Sequence, residues 1–233
     1  MFKAGIFDLD DTLYNYKNVN KIALGELRKY TCKVLSINEE LFDEAFKYGR
    51  DSTKEGLEEY AAGHNRMIYC QKTLEFLGVN PTSYALEMYE VYWNSILENM
   101  KLNDGVIELF EYFKNNEIKI AICTDLTTHI QHRKLRKLGI DKYIDCIVTS
   151  EEAGAEKPNI RMFNLCIEKL GISSCEAFYV GDSFKKDIVG ANNAGILPIW
   201  YTNIGLNESI EKSEFEYKRI DKLVQVKEYI NNS

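Results

Sequence analysis

The sequence predicts an α/β protein: a doubly wound parallel sheet with an all-helical segment inserted after the first strand. Three observations carry this. Short runs with apolar side chains facing both ways recur through residues 101–233, as parallel strands covered by helices require. Amphipathic stretches separate those runs, and such alternation is the pattern of a doubly wound sheet. Residues 15–100 are instead rich in Glu, Lys, Tyr and Leu with few β-branched runs, a helical texture.

The elements follow in order. Phe2 to Phe7 reads as an apolar strand. In the insertion, Leu24, Leu27, Leu35, Leu41, Phe42 and Phe46 suggest helices, as do Tyr84, Met88, Tyr89 and Trp93 after a loop at Asn80-Pro81-Thr82-Ser83. Val106, Ile107, Leu109, Phe110 and Phe113 form a helical apolar stripe. Buried strands are expected at Lys119–Thr124, Cys146–Thr149, Ala177–Val180 and Leu197–Tyr201. Ile160, Phe163, Ile167 and Leu170 repeat on one helix face, with Pro158 at the first helical position and Gly171 at the stop. Gly139 and Gly195 read as similar stops, and Tyr217–Tyr229 as a short edge strand and a closing helix. The expected division is a core of 1–14 and 101–233 and an inserted domain of 15–100.

Composition bounds the function. The 233 residues, 45% hydrophobic and 28% charged, suit a soluble globular chain of one large domain, or of one domain plus a modest second one. The net charge of −7 disfavours a broad nucleic-acid or anionic-membrane surface. No apolar run approaches the roughly 18–20 residues of a membrane span, and Met1–Phe7 lacks a signal-peptide hydrophobic region. Six cysteines without metal spacing are expected as small core residues of a chain in the reducing cytoplasm. His64, His129 and His132 have no metal spacing either.

The chemistry gathers at strand ends, where open α/β sheets bind ligands. The first strand ends in Asp8-Leu9-Asp10-Asp11-Thr12-Leu13. Carboxylates crowded there repel one another unless a cation or hydrogen bonds offset them. A second acidic cluster, Gly181-Asp182-Ser183-Phe184-Lys185-Lys186-Asp187, follows another strand. Hard oxygen ligands of this kind suit Mg²⁺ rather than zinc. Thr124-Asp125 ends a strand where a hydroxyl and free amides can hold phosphate oxygens. Lys157, before Pro158, offers a point charge for phosphate or for an aspartate nucleophile.

The set Asp8-x-Asp10-x-Thr12, Thr124, Lys157-Pro158 and Gly181-Asp182-x4-Asp187 resembles the haloacid dehalogenase (HAD) superfamily in residues, order and strand-end placement. The likeness spans the chain from residue 2 through the Leu197–Tyr201 strand. It implies a HAD-like Rossmannoid core, with the helical insertion similar to a C1-type cap. The stretch from Thr124 to Gly139 is similar to small-molecule phosphatases of the phosphoglycolate, acylneuraminate-phosphate and nucleotidase type.

That resemblance implies roles. Asp8 would be the nucleophile that forms an aspartyl phosphate, and Asp10 the general acid and then base. Asp8, the main-chain carbonyl of Asp10 and Asp182 would hold Mg²⁺, with Asp187 supporting those ligands from behind or reaching the ion through a water. Thr124, the Asp125 amide and Lys157 would bind the phosphoryl group. Asp125 departs from the Asn common at its position. Because Asp10 and the metal set are present, the expected activity is a cytoplasmic Mg²⁺-dependent phosphatase of a small soluble phosphomonoester such as a sugar phosphate, phosphoglycolate or nucleotide. A phosphomutase of the same superfamily, a receiver-like phospho-acceptor and an inactive scaffold remain as alternatives.

Plainer roles are expected for other residues. Asp11 reads as a turn residue, and Thr12 as a bond to the turn or to Asp10. Ser183 reads as a helix cap or as an amide orienting Asp182, and Asp187 as a possible partner of Lys185 or Lys157. His129, His132, Arg133, Lys134, Arg136 and Lys137 read as a solvated basic face. Arg50, Arg66 and Tyr69 read as surface or core residues ahead of substrate contacts.

Overall fold

The architecture comes from a computed structural model, which describes residues 2–57, 60–202 and 215–230. Its strands are β1 (Ala4–Phe7), β2 (Lys119–Thr124), β3 (Cys146–Thr149), β4 (Ala177–Gly181), β5 (Leu197–Tyr201) and β6 (Lys218–Ile220). They form a single parallel sheet in the order β3-β2-β1-β4-β5-β6. That order reverses its direction of winding beside β1, where ligands enter open α/β sheets. The α/β expectation is met, and the strand at Phe2–Phe7 is pared to Ala4–Phe7.

The chain separates into two compact units, one of Met1–Asn15 with Lys101–Ser233 and one of Tyr16–Met100. The second unit holds α1 (Tyr16–Leu35), α2 (Glu39–Lys54), α3 (Arg66–Phe76) and α4 (Ala85–Asn99). Asn38 and Asn65 cap α2 and α3, each accepting a backbone N–H two or three residues on. The first unit holds α5 (Val106–Asn115), α6 (Thr128–Leu138), α7 (Ser150–Ala153), α8 (Ile160–Leu170), α9 (Val189–Asn193) and α10 (Val226–Ile230). No helix among the described residues is long and apolar enough to cross a membrane.

The core of the first unit lies on both faces of the sheet. On one face Ala4, Ile6, Ala121, Val148 and Tyr179 meet Met162, Phe163, Cys166 and Leu170 of α8. On the other, Phe7, Phe110, Phe113 and Phe178 pack ring to ring at centroid distances of 5.3–6.2 Å. Truncating such a ring to alanine costs about 3–5 kcal/mol. Gly5 makes room for it, since a Cβ there would lie 2.6 Å from the Phe178 ring.

Several local expectations need correction. Pro158 is not a first helical residue: Asn159 caps α8, and the Lys157–Pro158 peptide is cis. Ile107 is exposed although it was read into the apolar stripe of α5, because that helix buries only Val106, Leu109, Phe110 and Phe113. All six cysteines are free, yet only Cys70, Cys123 and Cys166 are buried, and Cys175 is exposed on the turn before β4. The stops at Gly139 and Gly171 hold, with φ of 69° and 67°.

Candidate active site

Parallel register assembles the site. Phe7 aligns with Ile122 and Val180, so Asp8 leaves the sheet beside the ends of β2 and β4. Its N–H donates to the Val180 carbonyl at 2.9 Å. Asp182 follows β4 directly, and Asp187 rides a π-helical turn, Phe184–Ile188, just beyond. Carboxylate oxygens of Asp8, Asp182 and Asp187 all lie within 4.8 Å of one another. Gly181 permits this approach, because a Cβ there would overlap the Asp187 carboxyl group.

Lys157 is the built-in counter-charge. Its Nζ donates to Asp8 Oδ1 at 2.6 Å and to Asp187 Oδ1 at 2.7 Å, and its side chain is 3% exposed. The Tyr179 hydroxyl, itself buried, lies 3.2 Å from Lys157 Nζ and 3.0 Å from both Asp187 Oδ1 and the Cys123 carbonyl. Asp187 therefore pairs with Lys157, and its other oxygen takes the Ser183 N–H at 2.9 Å. The Ser183 amide thus orients Asp187 rather than Asp182, while its hydroxyl accepts the Lys186 N–H at 3.3 Å and caps the turn. Thr12 Oγ1 reaches Asp8 Oδ2 at 3.2 Å and Asp182 Oδ1 at 3.5 Å, so its partner is not Asp10. Asp11 takes the left-handed turn geometry, φ 64°, that frees Asp10 and Thr12 to face apart.

The electrostatics show how crowded the cluster is. Burial pushes the Asp8 carboxyl well above the usual carboxylate range, against Lys157, and Asp187 and Asp182 push it further. Burial works against the charge on Lys157, but Asp187, Asp8 and Asp125 outweigh it and hold the ammonium protonated. One ammonium faces three carboxylates here. The excess negative charge and the hard oxygen donors fit a divalent cation such as Mg²⁺.

Thr124 closes β2 and is buried. Gln131 of α6 donates through one amide nitrogen to Thr124 Oγ1 and to the Asp125 carbonyl, each at 2.7 Å. The Asp125 side chain is spoken for: Oδ1 accepts the Lys157 N–H at 3.0 Å and Oδ2 the Lys186 ammonium at 2.8 Å. An acid at this position therefore braces the lysine loop, which leaves its backbone amide as the group for an anion.

Asp10 is held apart from that cluster's lysine. Lys134 Nζ donates to both of its carboxylate oxygens at 2.8 Å, and the Tyr14 hydroxyl donates to Oδ1 at 2.6 Å. The solvated-face reading of α6 fails at this residue. His129, His132, Arg136 and Lys137 are exposed, but Lys134 is completely buried. The overlooked signal was periodicity: Gln131 and Lys134 share the apolar stripe of Ile130, Leu135 and Leu138. A lysine on a buried stripe needs a partner, and a strand-end carboxylate was the one on offer.

Within the helical unit, Arg50 is exposed and pairs with Asp51 at 2.8 Å, and Tyr69 is core, donating to the Gly63 carbonyl at 2.7 Å. Arg66 is half-buried, donating to the His64 carbonyl and the Tyr16 hydroxyl, each at 2.7 Å, and lies over the Tyr69 and Tyr92 rings.

A family model described as haloacid dehalogenase-like hydrolase matches residues 5–201. The chain belongs to that family. It is 34% identical over 216 residues to a ribulose-1,5-bisphosphate 5-phosphatase of Halopiger xanaduensis, covering 92% of this chain and 90% of the relative. It is 32% identical over 239 residues to a glyceraldehyde 3-phosphate phosphatase of Methanothermobacter thermautotrophicus, covering 99% and 100%. Among solved structures, a 2-haloacid dehalogenase from Pseudomonas syringae superposes with a TM-score of 0.82 at 22% identity, covering 100% of this chain and 99% of the other. A HAD phosphatase from Thermococcus onnurineus gives 0.75 at 22%, covering 98% of each chain. These two structures share the fold, and the fold serves both chemistries.

Proposed function

We propose that this member of the HAD-like hydrolases is a Mg²⁺-dependent phosphatase that hydrolyses a small phosphomonoester through an aspartyl phosphate on Asp8. The chain is a phosphoric monoester hydrolase, in keeping with its phosphatase relatives. The observation that carries the mechanism is Asp8 itself. Its carboxylate is buried, gripped by Lys157 at 2.6 Å and crowded by Asp182 and Asp187 within 4.8 Å. A nucleophile needs such fixed aim, and phosphoryl transfer depends mainly on positioning and charge neutralisation.

Asp8 attacks phosphorus as the bond to the leaving oxygen breaks, and Asp10 gives that oxygen its proton. Water then attacks the same phosphorus, Asp10 takes its proton, and the Asp8–phosphorus bond breaks to release phosphate. Lys157, Thr124 and the Asp125 amide hold the phosphoryl oxygens. Asp8, the Asp10 carbonyl and Asp182 would hold Mg²⁺, with Asp187, fixed by Lys157 and the Ser183 amide, behind them or joined through a water. When bound, the ion supplies positive charge at the phosphoryl oxygens. The carboxylate on Asp10 favours phosphate chemistry over dehalogenation at carbon.

The relatives act on a sugar bisphosphate and a triose phosphate, so phosphorylated sugars head the substrate classes, with the helical unit as the specificity-bearing cap. Free cysteines throughout suit a cytoplasmic protein. The test is phosphate release from sugar phosphates, phosphoglycolate, nucleoside monophosphates and a hexose 1-phosphate, with Mg²⁺ and with EDTA. Release that EDTA abolishes supports the reading. Release unchanged by EDTA overturns the metal, and isomerised hexose phosphate in place of free phosphate overturns hydrolysis in favour of a mutase.

A further inference from the structure

We propose that Lys134 and Tyr14 are positioning residues that aim the Asp10 carboxyl group at the leaving oxygen. The proposal rests on the reading of Asp10 as general acid and base. Three hydrogen bonds converge on this one side chain, two from Lys134 Nζ and one from Tyr14. Asp10 is 27% exposed at its side chain, whereas Lys134 is 0% exposed. A strand-end aspartate open to solvent would sample several rotamers. Tethering both of its oxygens removes that freedom before substrate arrives, and proton transfer demands hydrogen-bond reach.

The placement of Lys134 separates aiming from simple charge pairing. It lies one helical turn after Gln131, on the same buried face of α6. Gln131 grips Thr124, and Lys134 grips Asp10. One rigid helix face therefore sets the phosphoryl-binding hydroxyl and the proton-transfer group against each other. Lys134 also lies 5.8 Å from the centroid of the Tyr14 ring, so ammonium and phenol brace each other as well as Asp10. Burying a lysine without a partner is unfavourable, so the pairing with Asp10 is what lets a lysine occupy this buried face.

The experiment is single-turnover release of the alcohol or phenol from two substrates. One is an alkyl phosphomonoester turned over in the phosphate-release screen, whose alkoxide needs a proton to leave. The other is 4-nitrophenyl phosphate, whose phenolate leaves without one. A positioned acid contributes about 10²–10⁴-fold, so Asp10→Asn should lower the alkyl-to-aryl rate ratio by about 100-fold or more. Lys134→Met should lower the same ratio by about tenfold or more, in kcat rather than KM. Tyr14→Phe, which removes one hydroxyl, should lower it by about threefold. If Asp10→Asn leaves the ratio unchanged, the acid assignment beneath the proposal fails. If Asp10→Asn moves the ratio and Lys134→Met slows both substrates alike, the lysine is structural and the proposal fails. Should Lys134→Met not fold, Tyr14→Phe decides: an unmoved ratio overturns the proposal, and a lowered one supports it.

Discussion

Replacing Lys157 with methionine keeps an unbranched side chain one heavy atom shorter and deletes the ammonium bonded to both Asp8 and Asp187. The two contacts are 2.6 and 2.7 Å long, and the side chain is 3% exposed. Removing one partner of a buried pair costs about 3–5 kcal/mol. We take the lower end, because Asp8 can take up a proton and so shed its charge. A loss of about 3 kcal/mol lowers the melting temperature of a domain this size by about 6–12 °C.

The pH dependence has a definite sign. Lys157 has a folded pKa above its ordinary value, so its contribution is complete at neutral pH and fades only in strong alkali. Asp8 has a folded pKa raised by burial, so its ionised form costs stability at neutral pH and acid relieves that cost. Without Lys157 its pKa climbs further. The stability gap between wild type and Lys157→Met should therefore narrow between about pH 7 and about pH 5. The assay is urea unfolding in EDTA at both values. Repeating it in Mg²⁺ at about 100 times the dissociation constant should restore up to about 2.7 kcal/mol to any form that binds the ion. A loss below about 1 kcal/mol, or a gap that widens in acid, would refute the counter-charge argument.

Two further substitutions probe the supports of the site. In Gly181→Ala the new methyl would lie 2.6 Å from the Asp187 Cβ, where ordinary contact begins at 3.4 Å. Asp187 must then shift by nearly an ångström, which should cost about 1–3 kcal/mol in urea unfolding and reduce phosphate release; wild-type stability would contradict it. Gln131→Leu removes the two 2.7 Å bonds that hold Thr124 and the Asp125 carbonyl. Phosphate release should fall about tenfold in kcat/KM, and an unchanged value would show that Thr124 needs no brace.

The fold was largely legible from periodicity. β2, β3 and β5 sit where apolar runs bounded by turn residues required them. The carboxylates at strand ends were legible for the same reason, since a buried strand that stops in aspartates leaves few other readings. What escaped was pairwise. Lys134 looked like one member of a basic run, because charge counting ignores helical phase. Thr12 was read locally, yet its hydroxyl bonds toward Asp182, which is 170 residues away in sequence. Asp125 was expected to act through its backbone amide, while its carboxylate bonds the Lys157 amide and the Lys186 ammonium. Partners supplied by other strands leave no trace in a window of neighbouring residues.

Covalent capture on Asp8 tests the central claim most directly. Asp10→Asn, given 4-nitrophenyl phosphate and Mg²⁺, keeps the nucleophile and lacks the base for the second step. Nitrophenolate should appear as a burst of about one equivalent, and acid-quenched protein should carry a hydroxylamine-labile phosphoryl group on the peptide that contains Asp8. A burst with that peptide unmodified, or with the phosphoryl group on another residue, would contradict the account.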